Sequence, residues 1–499
     1  MNSDIYQDAL FIKACHLADE GEQKAPLDIF NFLEIVYPRE TLIKFFIADL
    51  EYKRNNLERA RKYAEKALDL DPSYKKVNHL LANIQRDQGQ FELARKAYDR
   101  ELYLNPEYPD ALNDKGILFF IMDSYDEASE MFDLAIKIDP SYADPYSNKA
   151  LIYIKKKEFK SAAKLLGVAI KLKANNYEAI GALANLKKHL CDFEEAWELY
   201  GFRFELELKD EKKYFTKPAW SNKTVEDKKI YLYGEQGIGD QVLFGTMFKE
   251  IFESHNKFIV SIDKRLLLIF NRSFEQYRNV SFISKEEKLN ESLFDLHLAI
   301  GDLGKFFRRS KKDFENFSYP YLVADKKRTG SIREKIRNQK KNICGISWKS
   351  SSKKIGPDKS ISLSDFKDIL RLKDLMFVDL QYGDTLAERN QLKNEYSLIV
   401  NKLDEIDNFN DIDGLASLID ACDFIVTISN VTAHIAGALG KKVFLMVPYE
   451  KGRIWYWHDG LKTSLWYPTI QIFTQNEIGD WSVPINEIKE KIVEEILHE

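Results

Sequence analysis

The stretch YLYGEQGIGDQVLFGTMF, residues 231–248, runs from an apolar segment through a bend with Gly234, Gly237 and Gly239 into a helical pattern. Such a bend ordinarily cradles a phosphate, because the free N–H groups at a helix start favour an anion. Asp240 stands in that first turn, where its carboxylate repels one. It reads in two ways. It is a good first-turn residue for helix stability, or it is a general base that takes the proton of an attacking hydroxyl or amide. On the second reading the phosphate is held elsewhere in the chain.

That other place has candidates. In DFIVTISNVTAHIAGALG (423–440) a strand ends at Ile428, Ser429 or Asn430 can cap the next helix, and Gly440 fits its C′ position. The first-turn N–H groups, with the hydroxyls of Ser429 and Thr432, make an anion site to which His434 can add a donor. The plainer reading is a cap and a core histidine. In ISWKSSSKKIGPDKS (346–360), Trp348 ends a strand and can stack on a base. Lys349, Lys353, Lys354 and Lys359 follow in a Ser/Gly/Pro loop, as phosphate ligands or ordinary surface lysines. Gln381 and Tyr382, in LQYGD, can read a base or ribose edge. A dinucleotide fold would instead use Asp263, 24 residues after Gly239, for a ribose. A single glycine turn without the G-x-G-x-x-G order argues against that oxidoreductase reading.

The elements that position these residues alternate. KKIYLYGE, KFIVSID and NVSFISK read as short buried strands, and so do NICGISWKS, LMFVDLQYG, DFIVTISN and KKVFLMVP, with helical stretches between. This pattern predicts two Rossmann-like parallel lobes, about 222–325 and 340–482, divided by the basic stretch 324–341. Their sites lie off the carboxyl ends of the strands. INEIKEKIVEEILHE reads as an amphipathic terminal helix.

The first half is periodic. Pro38, Pro72, Pro106 and Pro140 keep a step of 34 residues, as do Ala60, Ala94, Ala128, Ala162 and Ala196. Leu57, Phe91, Tyr125, Phe159 and Phe193 form another column, and Ala14, Ala48, Ala82, Gly116, Ala150 and Ala184 a small-residue column. The pattern predicts stacked helix pairs. Small residues allow close approach, and each proline ends a second helix. It resembles the tetratricopeptide repeat over about residues 7–205, which implies a superhelix whose concave face binds protein.

The motifs EQGIGDQVLFG, ISWKS…KSISL, LQYGD and SNVTAHIAGALGKKVFLMVPY resemble the heptosyltransferase-like glycosyltransferases. With CDFEEAWELYGFRF, KPAW and the 466–481 segment, the chain is similar to bacterial proteins that join tetratricopeptide repeats to such a module, among which flagellin and other protein glycosyltransferases occur. The resemblance implies an α-solenoid followed by an α/β GT-B module, with domains at 1–205, 206–325 (acceptor lobe) and 326–499 (donor lobe). It implies inverting sugar transfer from a nucleotide sugar, without a metal or other cofactor, to a protein acceptor docked by the solenoid. Asp240 matches the family's base and Lys359 a lysine near the donor phosphates. Asn430–His434, including Ala433, matches the diphosphate-binding helix start. The family often carries aspartate where Ser429 stands. The alternative is an inactive module kept as a protein-binding scaffold.

Composition bounds both readings. The 499 residues carry a net charge of −5, so no global field attracts nucleic acid. The four cysteines are far apart with no CxxC, which argues against a disulfide framework or zinc knuckle and predicts reduced thiols. The N-terminus lacks a signal-like segment, and no apolar run approaches the roughly 20 residues of a membrane span. The expectation is a cytoplasmic protein.

Overall fold

In a computed structural model, which describes residues 5–205, 213–221, 224–315, 319–336, 342–352 and 355–497, each proline of the 34-residue column lies just beyond a helix end. The second helices Lys24–Val36, Leu57–Leu70, Phe91–Leu104 and Tyr125–Ile138 stop before Pro38, Pro72, Pro106 and Pro140. Their partners Ala9–Asp19, Thr41–Lys53, Val77–Asp87 and Pro109–Ile121 precede them, and Ala143–Lys155 with Phe159–Leu172 follows. The small column lets the pairs close. A Cβ on Gly116 would meet the Phe132 ring at 2.6 Å. Ala14, Ala48, Ala82 and Ala150 are fully buried.

The turn between paired helices adds a column of its own. Asn55, Gly89, Asp123, Lys157 and Cys191 all have φ between 58° and 75°, the left-handed conformation that follows a helix end. Successive first helices are stitched by polar pairs 35 residues apart: the Tyr52 hydroxyl donates to Asp87 at 2.7 Å, His79 pairs with Asp114 at 2.7 Å, and the Asn148 amide donates to Asn113 at 2.9 Å. Asn83 also donates to Asp114, at 3.0 Å.

The chain forms two compact units, Met1–Ala182 and Leu183–Glu499. The first is this helical solenoid. The second begins before residue 206, the boundary expected from sequence, because Phe193, Trp197 and Tyr200 are buried in its core. Trp197 fills the space a side chain on Gly304 would need, and its indole N–H donates to the Arg308 carbonyl at 2.7 Å.

Two wholly parallel sheets organise the second unit. Strands β1 (Lys229–Tyr233), β2 (Lys257–Ile262), β3 (Val280–Ser284) and β4 (Leu296–Ala299) lie in the order β3-β2-β1-β4. Strands β5 (Asn342–Ser347), β6 (Leu375–Asp379), β7 (Phe424–Ile428), β8 (Lys442–Val447) and β9 (Ile470–Thr474) lie in the order β6-β5-β7-β8-β9. The seven expected strands are present. β4 and β9 were not expected: β4 has four residues, and β9 lies in a segment read as terminal. Strand order reverses beside β1 and beside β5, the two points at which an open α/β sheet forms a crevice. The basic divider contains the helix Lys326–Ile336, which buries Ile332 and Ile336. The terminal helix Ser482–Ile492 buries Ile485, Ile488 and Ile492.

All four cysteines are free, Cys344 and Cys422 buried and Cys15 and Cys191 partly so. Among the described residues, no helix is long and apolar enough to cross a membrane.

Candidate functional site

A cavity of about 530 Å3 opens at the carboxyl ends of β1, β2, β5, β6 and β7. Its lining includes Gly237, Gly239 and Asp240 after β1, and Arg265 after β2. Ser350 and Lys359 follow β5, Tyr382 follows β6, and Ser429, Asn430 and His434 follow β7. Both switch points thus face one space.

The bend after β1 is held by hydrogen bonds and close approach. Gly234 has no room for a side chain, since a Cβ would lie 2.9 Å from the Ser261 carbonyl oxygen. Its N–H donates to that carbonyl at 2.6 Å. The left-handed residue is Gln236, with φ 64°, and not a glycine. Gln241, fully buried, staples the bend: its amide donates to the Gln236 carbonyl at 3.3 Å and accepts from the Asp263 N–H at 2.9 Å. Gly237 caps the helix Ile238–Gly245 and meets no steric limit beyond ordinary contact with Asp240. Gly239 is required, because a Cβ would sit 2.9 Å from the His434 ring.

Asp240 is partly buried in the cavity wall. Burial pushes its carboxyl up to about 6, against the Gly237 N–H and the Lys359 charge, which favour the carboxylate. Lys359, 5% exposed, has its ammonium pulled down to about 8 by burial, against the opposing pull of Asp240. Among the described residues it forms no ion pair. Carboxylate and ammonium thus sense each other across a poorly hydrated space.

His434 stays neutral, its imidazole held down to about 3 by burial, with Lys359 contributing. Its ring nitrogens lie 3.2 Å from the Tyr467 hydroxyl and 3.3 Å from the Tyr456 hydroxyl, and Trp457 stacks on it at 5.3 Å. Only 2% of it is exposed.

The helix Val431–Ala438 ends at Gly440 with φ 77°, as expected. Its cap is one of the two residues expected, but the cap uses first-turn donors that the sequence reading left for an anion. Asn430 is the cap, accepting from the Thr432 and Ala433 N–H groups at 3.0 and 3.4 Å, so those donors are taken. Its own amide donates to Ser347 at 2.9 Å. Ser429 accepts from the Trp457 indole at 2.8 Å. Thr432 and Ala433 lie beneath the lining, the Thr432 hydroxyl buried with no hydrogen-bond partner among the described residues.

Four further expectations are corrected. Trp348 is a core residue with no exposure, its indole donating to Glu388 at 2.9 Å, and offers no face to a base. Lys349 pairs with Glu388 away from the lining. Gln381, 1% exposed, accepts from the Trp348 and Lys349 N–H groups at 2.9 and 2.8 Å, so it shapes the loop after β5 and reads no edge. Tyr382 does reach the cavity. Asp263 grips Arg265 through both carboxylate oxygens at 2.9 Å, which occupies the acid a ribose would need. Lys353 and Lys354 lie outside the described residues.

Sequence reasoning missed Arg265, Asn408, Phe409 and Tyr456 in the lining. The guanidinium of Arg265 lies 4.9 Å from the Phe409 ring centre and donates to the Phe409 carbonyl at 3.2 Å. A cation three residues beyond the end of β2 was the available signal for it. Among the described residues, no group of three or more His, Cys, Asp or Glu side chains is placed to hold a metal ion.

The tetratricopeptide-repeat family model matches residues 43–74 and again 79–143. The solenoid is therefore a tetratricopeptide-repeat array, an architecture that serves protein interaction. Over 307 residues the chain is 28% identical to Protein FlbA of Caulobacter vibrioides, which takes in 58% of this chain and 50% of that protein. Among solved structures, a thermophilic tetratricopeptide-repeat protein of Thermus thermophilus is 15% identical, covering 36% of this chain and 96% of its own with a TM-score of 0.33. MamA of Desulfovibrio magneticus is 17% identical, covering 34% and 97% with a TM-score of 0.30. The chain spans about half the length of the curated relative it matches.

Proposed function

We propose that the α/β unit is an inverting glycosyltransferase of GT-B type, similar to the heptosyltransferase-like enzymes, and that the repeats present its protein acceptor. The observation that carries this reading is the pairing of Asp240 and Lys359 on one cavity. An acid raised to about 6 is largely ionised at neutral pH yet basic enough to accept a proton. A buried ammonium with no ion pair among the described residues suits a diphosphate leaving group, whose charge grows as the sugar departs. In this reading Asp240 takes the proton from the acceptor hydroxyl or amide. That oxygen or nitrogen bonds to the anomeric carbon, and the nucleoside diphosphate leaves carrying the bond's electron pair.

The cavity volume lies within the range of about 300–1,000 Å3 usual for small-molecule sites. Tyr382 and Phe409 supply aromatic surface at its rim. The test is a thermal-shift screen of the whole chain against uridine, guanosine and cytidine nucleotide sugars. Intact mass of a co-expressed flagellin-type acceptor then follows. Stabilisation by one donor and a mass gain lost in Asp240→Ala support the reading. No stabilisation by any donor, with a partner still captured, favours the scaffold, for which Ser429 in place of the family's aspartate is the motivating departure.

A further inference from the structure

The segment Phe193–Phe204 precedes both sheets, yet two of its side chains end on the bend that carries Asp240. The amide of Gln236 donates to the Tyr200 hydroxyl at 2.9 Å. Arg203 donates to a Glu235 carboxylate oxygen at 2.7 Å, and that oxygen also accepts from the Gly301 N–H at 3.2 Å. Arg203 in turn is fixed by the Tyr200 carbonyl at 3.0 Å and Asp302 at 2.8 Å. Glu235 and Arg203 are 1% and 7% exposed. The ring of Tyr200 is itself pinned, 5.4 Å from the Trp197 ring and 4.1 Å beneath the Lys188 ammonium.

These links hold two consecutive residues, Glu235 and Gln236, one of them in a left-handed conformation that a non-glycine residue keeps only when its surroundings enforce it. Gln241 restrains the same bend from the other side. We propose that Tyr200 and Arg203 are positioning residues, which fix the bend through Gln236 and Glu235 and so set the place of the Asp240 carboxylate in the cavity. Neither touches the reacting atoms. The importance of that carboxylate rests on the glycosyl-transfer reading; its placement by Tyr200 and Arg203 does not.

The test needs no substrate. The whole chain is labelled with 13C at aspartate carboxyls, and the Asp240 resonance is assigned by its loss in Asp240→Asn. Tyr200→Phe keeps the ring and its packing and removes only the hydroxyl. Arg203→Lys keeps the charge and removes the fork. The expected result is that the Asp240 midpoint falls in both variants toward the ordinary carboxylate range, by about one pH unit, as the loosened bend admits water. The Asp263 midpoint, held by Arg265, stays in place. If both variants fold, melt at lower temperature and leave the Asp240 midpoint unchanged, the segment is merely structural and the proposal fails. Should Arg203→Lys not fold, Tyr200→Phe alone decides. If the wild-type chain turns over no nucleotide sugar, glycosyl transfer is refuted while this titration still gives its answer.

Discussion

Gly239 and His434 meet at the rim of the cavity, the glycine Cα edge against the imidazole, with space for no further carbon between them. The ring cannot yield, since Tyr456, Tyr467 and Trp457 hold it on three sides. Gly239→Ala therefore pushes the two helix starts apart. We expect a loss of about 1–3 kcal/mol in urea denaturation, partly restored by adding His434→Ala. An unchanged midpoint would show that the helices slide freely.

The pH dependence follows from Asp240 and Lys359. The folded chain holds the Asp240 proton up to about 6, above the ordinary 3.8. It therefore binds more protons than the unfolded chain between these values, and stability falls as pH rises through that window. Asp240→Asn should match wild type near pH 3 and exceed it at pH 8 by at most about 2–3 kcal/mol, less where water reaches the carboxylate. If transfer occurs, kcat/KM climbs through about 6 as Asp240 ionises and falls above about 8 as Lys359 loses its proton. His434, neutral throughout, adds no limb.

Replacing the buried ammonium separates stability from binding. Lys359→Met removes a charge with little solvent and no ion pair among the described residues. Its melting temperature should rise, by the equivalent of about 1–2 kcal/mol, while any stabilisation by a nucleoside diphosphate disappears. A variant that melts lower and still binds would mean the lysine serves packing alone.

Trp348 and Tyr382 should divide in the opposite sense. Trp348→Phe loses a buried hydrogen bond and volume, costing about 1–3 kcal/mol, and leaves nucleotide affinity intact. Tyr382→Ala costs little stability and weakens binding. Equal effects on affinity, measured by calorimetry, would restore Trp348 to the ligand's side.

The left-handed column in the solenoid predicts two changes of opposite sign. Gly89→Ala places a Cβ where φ is 75° and should destabilise by about 1–2 kcal/mol. Lys157→Gly relieves the same strain at φ 58° and should stabilise, by less than about 1 kcal/mol because glycine also frees the unfolded chain. Chemical denaturation of the whole chain, followed by far-ultraviolet dichroism, reads both.

Much of this architecture is legible in the residues because its causes are local. The 34-residue columns report how paired helices touch, and a strand, bend and helix around Asp240 report themselves through periodicity and glycine. The site is half legible. Asp240, Lys359, Tyr382, Ser429, Asn430 and His434 reach one cavity because all follow strand ends. What stays hidden depends on partners distant in sequence. Gln381 looks like a ligand residue until the Trp348 and Lys349 amides claim it. The first-turn donors look free until Asn430 turns back on them. Nor does anything near Arg265 reveal that Phe409, 144 residues on, completes its surroundings.

The burial of Phe193, Trp197 and Tyr200 has a practical consequence for anyone wishing to exchange the repeat array for another and so redirect the protein. A graft joined at residue 205 would strip three aromatic plugs from a core they help fill and leave Glu235 with an ionic neighbour missing. The transplanted array should instead end ahead of Phe193, so that the helix Phe193–Tyr200 stays with the core it helps fill.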